Sequence, residues 1–218
     1  MDSPQVPSGL TVETLTLDPA TLKEAAGVAT AAFADDAFFC FLSPNERLRL
    51  RGLKIYWRGA IGALGDRGLV LGVRADDGKL IGVAAFVRPG GYPLPVLAQL
   101  RQARFAFWAL ITRPPALVAG TKYLLAIDKA HPRESLWYLE LLVVEPTAQR
   151  GGVGAALQDH LYGEADRERL PSYLETQKVE NLAYYRRFGY EVVEELHPVK
   201  KGPPLWTMRR EPREAQEP

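Results

Sequence analysis

WYLELLVVEPTAQRGGVGAALQDHLYGEADRE, from Trp137 to Glu168, decides how the rest of the chain is read. An apolar strand ends at Glu145-Pro146, a glycine-dense turn follows, and helical spacing begins inside the turn. A helix start presents backbone N–H groups without intrahelical partners, at the positive end of the macrodipole. Phosphate is a natural ligand of that geometry. Gly151, Gly152 and Gly154 leave room for close approach of a diphosphate. Val153 and Ala155 add further amides of the same turn, and Arg150 can add a charge-assisted contact.

Two other phosphate loops fit less well. A Walker A loop needs a Lys-Ser/Thr pair after its last glycine, and here Ala155-Ala156 follow Gly154. A dinucleotide fingerprint starting at Gly152 finds Gly154 but then Leu157 where its third glycine belongs, although Glu175 stands near the distance of the ribose-binding acid.

The stretch resembles the acyl-CoA loop of the GNAT superfamily of N-acetyltransferases, Gln/Arg-x-x-Gly-x-Gly/Ala, with Gln149, Gly152 and Gly154 at its defined positions. Val144-Glu145-Pro146 is similar to the strand ending that precedes that loop in the family. Many members carry Gly then Lys or Arg after the Gln, whereas this chain has Arg150 then Gly151. A second signature follows: Asn181-x-x-x-Tyr185-x-x-x-Gly189-Tyr190 resembles the family's short helix that begins at Asn, carries a Tyr one turn on and ends in Gly-aromatic. Glycine suits such an end because a left-handed residue is wanted there. The C-terminal part, with Leu174-Glu175-Thr176, Tyr185 to Tyr190, and Gly202-Pro203 near Trp206 and Met208, is locally similar to the branch that includes puromycin N-acetyltransferase.

The resemblance implies an α/β fold: a mixed, twisted sheet of about seven strands with helices on both faces, splayed where acyl-CoA enters. It implies acetyl-CoA as acyl donor, no metal, and direct transfer to a primary amine in a ternary complex. Backbone groups of Leu142, Val143 and Val144 would line the pantetheine arm, Asn181 would hold it, and Tyr185 would protonate the departing sulfur. A non-catalytic acyl-CoA-binding regulatory module of the same fold is the alternative.

The remaining residues bound these expectations. With 218 residues, 47% hydrophobic and 24% charged, the chain can bury a full core. A net charge of +1 offers no broad attraction for nucleic acid or an acidic membrane. The single cysteine, Cys40, sits among Phe38, Phe39 and Phe41 and reads as core; three scattered histidines offer no metal-ligand spacing. The start, MDSPQVPSG, has no signal-peptide pattern, so the expectation is a cytoplasmic protein with a mobile segment 1–9, one domain over 10–210 and a disordered tail 211–218.

Taken in order, Leu10 to Leu17 reads as a strand, and Asp18-Pro19 opens a helix. A further helix starts near Ser43, with Ser43 and Glu46 matching a capping box. Between them Asp35, Asp36, Phe38 and Phe39 form a connection that is either a turn with buried aromatics or, by the family resemblance, a border of the acceptor pocket. Gly68 to Arg74 and Lys79 to Arg88 read as a hairpin about Asp76-Asp77-Gly78. Residues 90–133 read as an insertion with helical runs over Val96 to Ile111 and through Leu117, Leu124 and Leu125. These runs either close over the acceptor side or serve a structural role or a homodimer through their apolar stripe.

In the organising strand, alternation places Tyr138, Glu140 and Leu142 on one face and Trp137, Leu139 and Leu141 on the other. Both faces are mostly apolar, so Glu140 needs either a partner or a task, because an unpaired buried charge is costly. Either an arginine pairs with it, or it is a general base with a raised pKa. The aromatic connection, the apolar insertion and the scarcity of acid beside Arg101 and Arg104 predict a small, largely apolar or aromatic amine as acceptor, held by one or two carboxylates.

Overall fold

The turn at Asp76-Asp77-Gly78 seeds the sheet. In the computed structural model, which describes residues 10–93 and 114–213, β2 (Gly68–Arg74) and β3 (Leu80–Val87) pair antiparallel around it. The Asp77 carboxylate accepts the Lys79 N–H at 2.9 Å and so closes the turn. β1 (Val12–Thr14), shorter than the Leu10 to Leu17 run, lies outside β2. β4 (Trp137–Val144) is antiparallel to β3, and β5 (Ser172–Thr176) is parallel to β4. β6 (Glu191–Leu196) and β7 (Leu205–Arg210) complete a seven-stranded sheet in the order β1-β2-β3-β4-β5-β7-β6. This is the mixed sheet that the sequence predicts.

Helices cover both faces. On one side α1 (Pro19–Ala32) and α3 (Glu46–Leu64) pack Ala25, Ala29, Leu53, Trp57 and Ile61 against Val83, Ala85, Leu141 and Val143. On the other, α5 (Val153–Glu168) and α6 (Val179–Arg186) pack Leu157, Leu161 and Leu182 against Leu71, Phe86, Leu139 and Leu174. Each fully buried Val, Leu, Ile or Phe among them contributes about 1.5–3 kcal/mol, and each alanine less. Short α2 (Ala37–Leu42) joins α1 to α3, and α4 (Pro114–Ala130) occupies the second helical run of the insertion. Among the described residues no helix is long and apolar enough to cross a membrane.

Local chemistry sets the element ends. The Asp18 carboxylate accepts the N–H groups of Ala20 and Thr21 at 2.8 and 3.1 Å, and Pro19 opens α1 as expected. The start of α3 differs from the capping box read at Ser43 and Glu46. Asn45 caps it, accepting Leu48 N–H at 3.0 Å, while Ser43 closes α2. The reason is that the connection is itself helical and uses Ser43 as its C-cap. Buried Arg49 then stitches the joint, donating to the carbonyls of Ala34 at 2.6 Å and Ser43 at 3.0 Å.

Strict alternation fails in β4. Ala85 pairs with Leu141 and Phe86 with Leu139, so Glu140 is a bulge residue without a partner on β3. Leu141 therefore turns to the α1/α3 face with Tyr138 and Val143, while Trp137 and Leu139 keep the opposite face. A bulge cannot be read from hydrophobic pattern when both faces are apolar. The expected helical run over Val96 to Ile111 lies outside the described residues, as do 1–9 and the tail beyond 213. The Arg213 N–H donates to Asp166 at 2.8 Å, which ties residues 211–213 to α5.

Candidate active site

The end of β4 and the start of α5 are joined through left-handed backbone: Arg150 has φ 66° and Gly152, the residue before α5, φ 79°. Glycine fits the latter without a steric penalty. No side chain caps α5, so its first N–H groups face outward without intrahelical partners. Gln149 ties the loop to the strand end, its Nε2 donating to the Val144 carbonyl at 3.3 Å. A side chain on Gly151 would come within 3.3 Å of the Ala148 carbonyl.

Gly154 has a different reason from the one its spacing suggests. A Cβ there would point inward, 2.8 Å from the Tyr184 hydroxyl and 3.7 Å from Val144 Cγ2. Its glycine serves the packing of α5 on α6. Gln158, fully buried, holds that hydroxyl by donating to it at 2.8 Å, and accepts from Tyr162.

Beside this loop the sheet splits. β4 and β5 pair at Trp137 with Ser172, Tyr138 with Tyr173 and Leu139 with Leu174, and pairing then stops. Among the described residues no strand lies on the β5 side of Glu140 to Val144, although β3 accompanies the other side to Val144. On that side the backbone of Leu142, Val143 and Val144 is thus without a strand partner among the described residues, and it leads to the uncapped helix. Glu140 and Glu175 are the first residues past the last pair, one on each lip of the split.

Glu140 is half-buried by exposure, yet its carboxyl is desolvated. Burial, and then the charge of Glu175, pushes its pKa up to about 7. Among the described residues no arginine is paired with Glu140, and the causes of its shift are burial and Glu175; Arg101 and Arg104 lie outside the described residues. Tyr56 and Tyr138 lie near enough that Glu140 adds to the upward shift burial imposes on their hydroxyls. Tyr185 is buried in α6, with the rings of Tyr184 and Tyr190 centred 5.3 and 5.7 Å away. Burial, then those two neighbours, raises its hydroxyl pKa far above neutrality, so it carries a proton throughout the neutral range.

α6 begins at Val179, two residues earlier than the start expected at Asn181. Asn181 lies inside the first turn, where its Nδ2 donates to Thr176 Oγ1 at 2.9 Å and ties the helix to the end of β5. Gly189 has φ 91°, the left-handed conformation expected of it.

On the expected acceptor side, the structure separates the four residues. Asp36 is buried; it caps α2 through the N–H groups of Phe38 and Phe39 at 3.0 and 3.3 Å and pairs with Lys178 at 3.2 Å. Phe39 belongs to the core, against Phe33 and Trp57. Phe38 packs on Tyr123 of α4 with centroids 4.7 Å apart, and exposed Asp35 lies 3.7 Å from Arg49. Cys40 is half-buried at the same joint, less enclosed than its aromatic neighbours suggest. Among the described residues no group of His, Cys, Asp and Glu could hold a metal ion. Sequence reasoning met Glu175 only as a would-be ribose-binding acid and as part of Leu174-Glu175-Thr176 and gave His131 no role; the two lie 3.9 Å apart behind the split. Glu175 carries the same signal as Glu140, a carboxylate in a covered strand.

Residues 103–192 match the family model of the acetyltransferase (GNAT) domain. The fold is similar to that of a Corynebacterium glutamicum protein described as histone acetyltransferase HPA2 and related acetyltransferase, with 22% identity, 95% of this chain and 99% of that one covered, and a TM-score of 0.66. It is also similar to the PaiA N-acetyltransferase of Thermoplasma acidophilum in complex with coenzyme A, at 12% identity, 93% and 99% coverage and a TM-score of 0.54. A Sinorhizobium meliloti phosphinothricin acetyltransferase in complex with acetyl-CoA matches at 15% identity, 95% and 90% coverage and a TM-score of 0.53.

Proposed function

We propose that this chain, whose residues 103–192 match the GNAT acetyltransferase domain, moves the acetyl group of acetyl-CoA to the primary amine of a small, largely apolar or aromatic acceptor, by direct transfer while both are bound. The observation that carries this reading is the uncapped start of α5 at Gly152, beside the strand edge left free where β4 and β5 part. An outward-facing set of amides suits a diphosphate, and a free strand edge suits the amides of a pantetheine arm. Similar folds that hold coenzyme A or acetyl-CoA support the same donor.

When bound, acetyl-CoA supplies a thioester-activated acetyl group and a thiol leaving group. The residues of the chain supply binding and proton transfer. The amides of Gly151 to Ala155 hold the diphosphate, with Arg150 adding charge, and the edge of Leu142 to Val144 orients the arm. Asn181 fixes the β5–α6 junction next to it. Glu140 accepts a proton from the acceptor's ammonium. A carboxyl with a pKa near 7 is a far better base at neutral pH than an ordinary glutamate. Tyr185, protonated under the same conditions, donates to the departing sulfur.

The acceptor class follows from the surroundings of Glu140. Tyr56 and Tyr138 flank it, and Glu175 is the carboxylate acting on it. Two carboxylates among aromatic rings suit one ammonium on an apolar body rather than a polycation. Turnover of acetyl-CoA with a matched panel of aromatic monoamines, aminonucleosides, aminoglycosides, polyamines and basic peptides tests the reading. Aromatic monoamines or aminonucleosides are expected to lead; preference for the polycations over every aromatic monoamine would overturn it.

A further inference from the structure

Two buried polar atoms next to the split have no hydrogen-bond partner among the described residues: His131 Nδ1 and Glu175 Oε1. They lie 3.9 Å apart on side chains 2% and 5% exposed. That distance allows a charge interaction but is too long for a hydrogen bond. The setting is aromatic. The His131 ring lies against Tyr92 at 3.8 Å and meets Tyr138 and Tyr173 edge-on at 4.9 and 5.1 Å.

The strand register connects this pair to the site. Leu139 and Leu174 are the last paired residues, so the next carboxylates along the parallel strands, Glu140 and Glu175, stand at matching positions across the opening. Two carboxylates so placed in a poorly solvated cleft resist ionising together. Glu140 faces Tyr56 from α3, Tyr138 on its own strand and Glu175 from β5. Glu175 faces His131 beyond α4, Tyr92 beyond β3, Tyr138 from β4 and Tyr173 on its own strand. Around these, Asp128 and Arg133 act on Tyr92, and Glu194 of β6 acts on Tyr173.

We propose that Glu175 and His131 form a buried positioning pair for Glu140: Glu175 acts on Glu140 across the split from the matching strand position, and the His131 imidazole, 3.9 Å behind Glu175, limits its effect. Neither residue touches the acceptor, and both act through Glu140. The inference rests on the reading of Glu140 as the base. It gives a task to a carboxylate on β5 where an apolar residue would pack without an orphaned oxygen.

The test reads Glu140 without turnover. Carbon-13 NMR titration of glutamate side-chain carboxyls gives its midpoint, with the Glu140 signal assigned by its loss in Glu140→Gln. Glu175→Gln is expected to lower the midpoint by roughly one to two pH units, toward an ordinary carboxyl. His131→Gln removes the compensating imidazole and is expected to raise it. A Glu140 midpoint that both substitutions leave in place overturns the pair. If Glu175→Gln does not fold, His131→Gln decides alone, and an unchanged or lower midpoint overturns the proposal. Midpoints that move as expected in a protein without acetyltransferase activity would sink the base reading and leave the pair standing.

Discussion

At the scale of single residues, the proposed base and the proposed acid have environments that suit them to opposite jobs. A carboxyl raised to about 7 can take a proton at neutral pH, and a buried phenol held protonated can give one. Tyr185→Phe keeps the ring and removes the donor, so turnover should fall roughly 10²- to 10⁴-fold while calorimetric affinity for acetyl-CoA changes little. Wild-type turnover in that variant would take the acid role from Tyr185. For Glu140, kcat/KM should rise with pH through about 7 as the carboxyl deprotonates, and Glu140→Gln should abolish that limb along with most of the activity. The same raised pKa has a stability sign. Between the ordinary glutamate value of 4.5 and about 7 the folded state binds more proton than the unfolded one, so this contribution to stability is present below 4.5 and lost as pH rises through 7. Glu140→Gln should therefore melt above wild type at pH 8, with the gap closing toward pH 4; equal melting at both would contradict the desolvated carboxyl. Glu140 was legible from sequence because a carboxylate in an apolar strand demands a partner or a task. Its dependence on Glu175 and His131 was not, since only the fold brings those three residues together.

At the scale of elements, the strand, loop and helix from Trp137 to Glu168 stand where spacing and glycines put them, because their cues are local. The errors all involve a neighbour. Ser43 lost its capping role because a second helix ended on it, and α6 starts before Asn181, whose side chain reaches back to Thr176. The β4 bulge belongs to its pairing with β3. The loop makes a sharp prediction: Gly152→Val places a β-branched residue at φ 79° and closes the cradle, so acetyl-CoA affinity by calorimetry should be lost. Arg150→Ala removes one side-chain charge and should weaken binding only moderately. Unchanged affinity in Gly152→Val would rule out the cradle. Gly154 tests the helix contact instead. Gly154→Ala should cost about 1–3 kcal/mol in denaturant unfolding by crowding the Tyr184 hydroxyl. Tyr184→Phe in the same chain should recover part of it, and strictly additive losses would show that the two do not meet.

At the scale of the whole molecule, the α/β order and two-sided covering followed from periodicity, but the tie that closes the second half of the sheet onto α5 did not. Arg210, at the end of β7 and 2% exposed, reaches Asp166 of α5 with two hydrogen bonds of 2.8 and 2.7 Å. It also donates to the Phe188 carbonyl at 3.1 Å and lies 4.4 Å from the Tyr162 ring centre. In the sequence it is one basic residue in a polar run near the terminus, with nothing to separate it from Arg209. Burial pushes the Asp166 carboxyl up, but the Arg210 hydrogen bonds and the Arg213 N–H outweigh that and hold it below its usual value. A depressed folded pKa gives stability that is present above the ordinary aspartate value and lost as pH falls through the depressed one. Arg210→Met should destabilise at pH 7 by roughly 2–4 kcal/mol, less than a wholly buried pair would lose because Asp166 keeps contact with water. Urea melts at pH 7 and pH 3 should show the gap to wild type narrowing in acid, as Asp166 begins to take up a proton. It should not close, because the Phe188 and Tyr162 contacts are missing at every pH; a gap of equal size at both pH values would mean that the carboxylate contributes nothing to the tie.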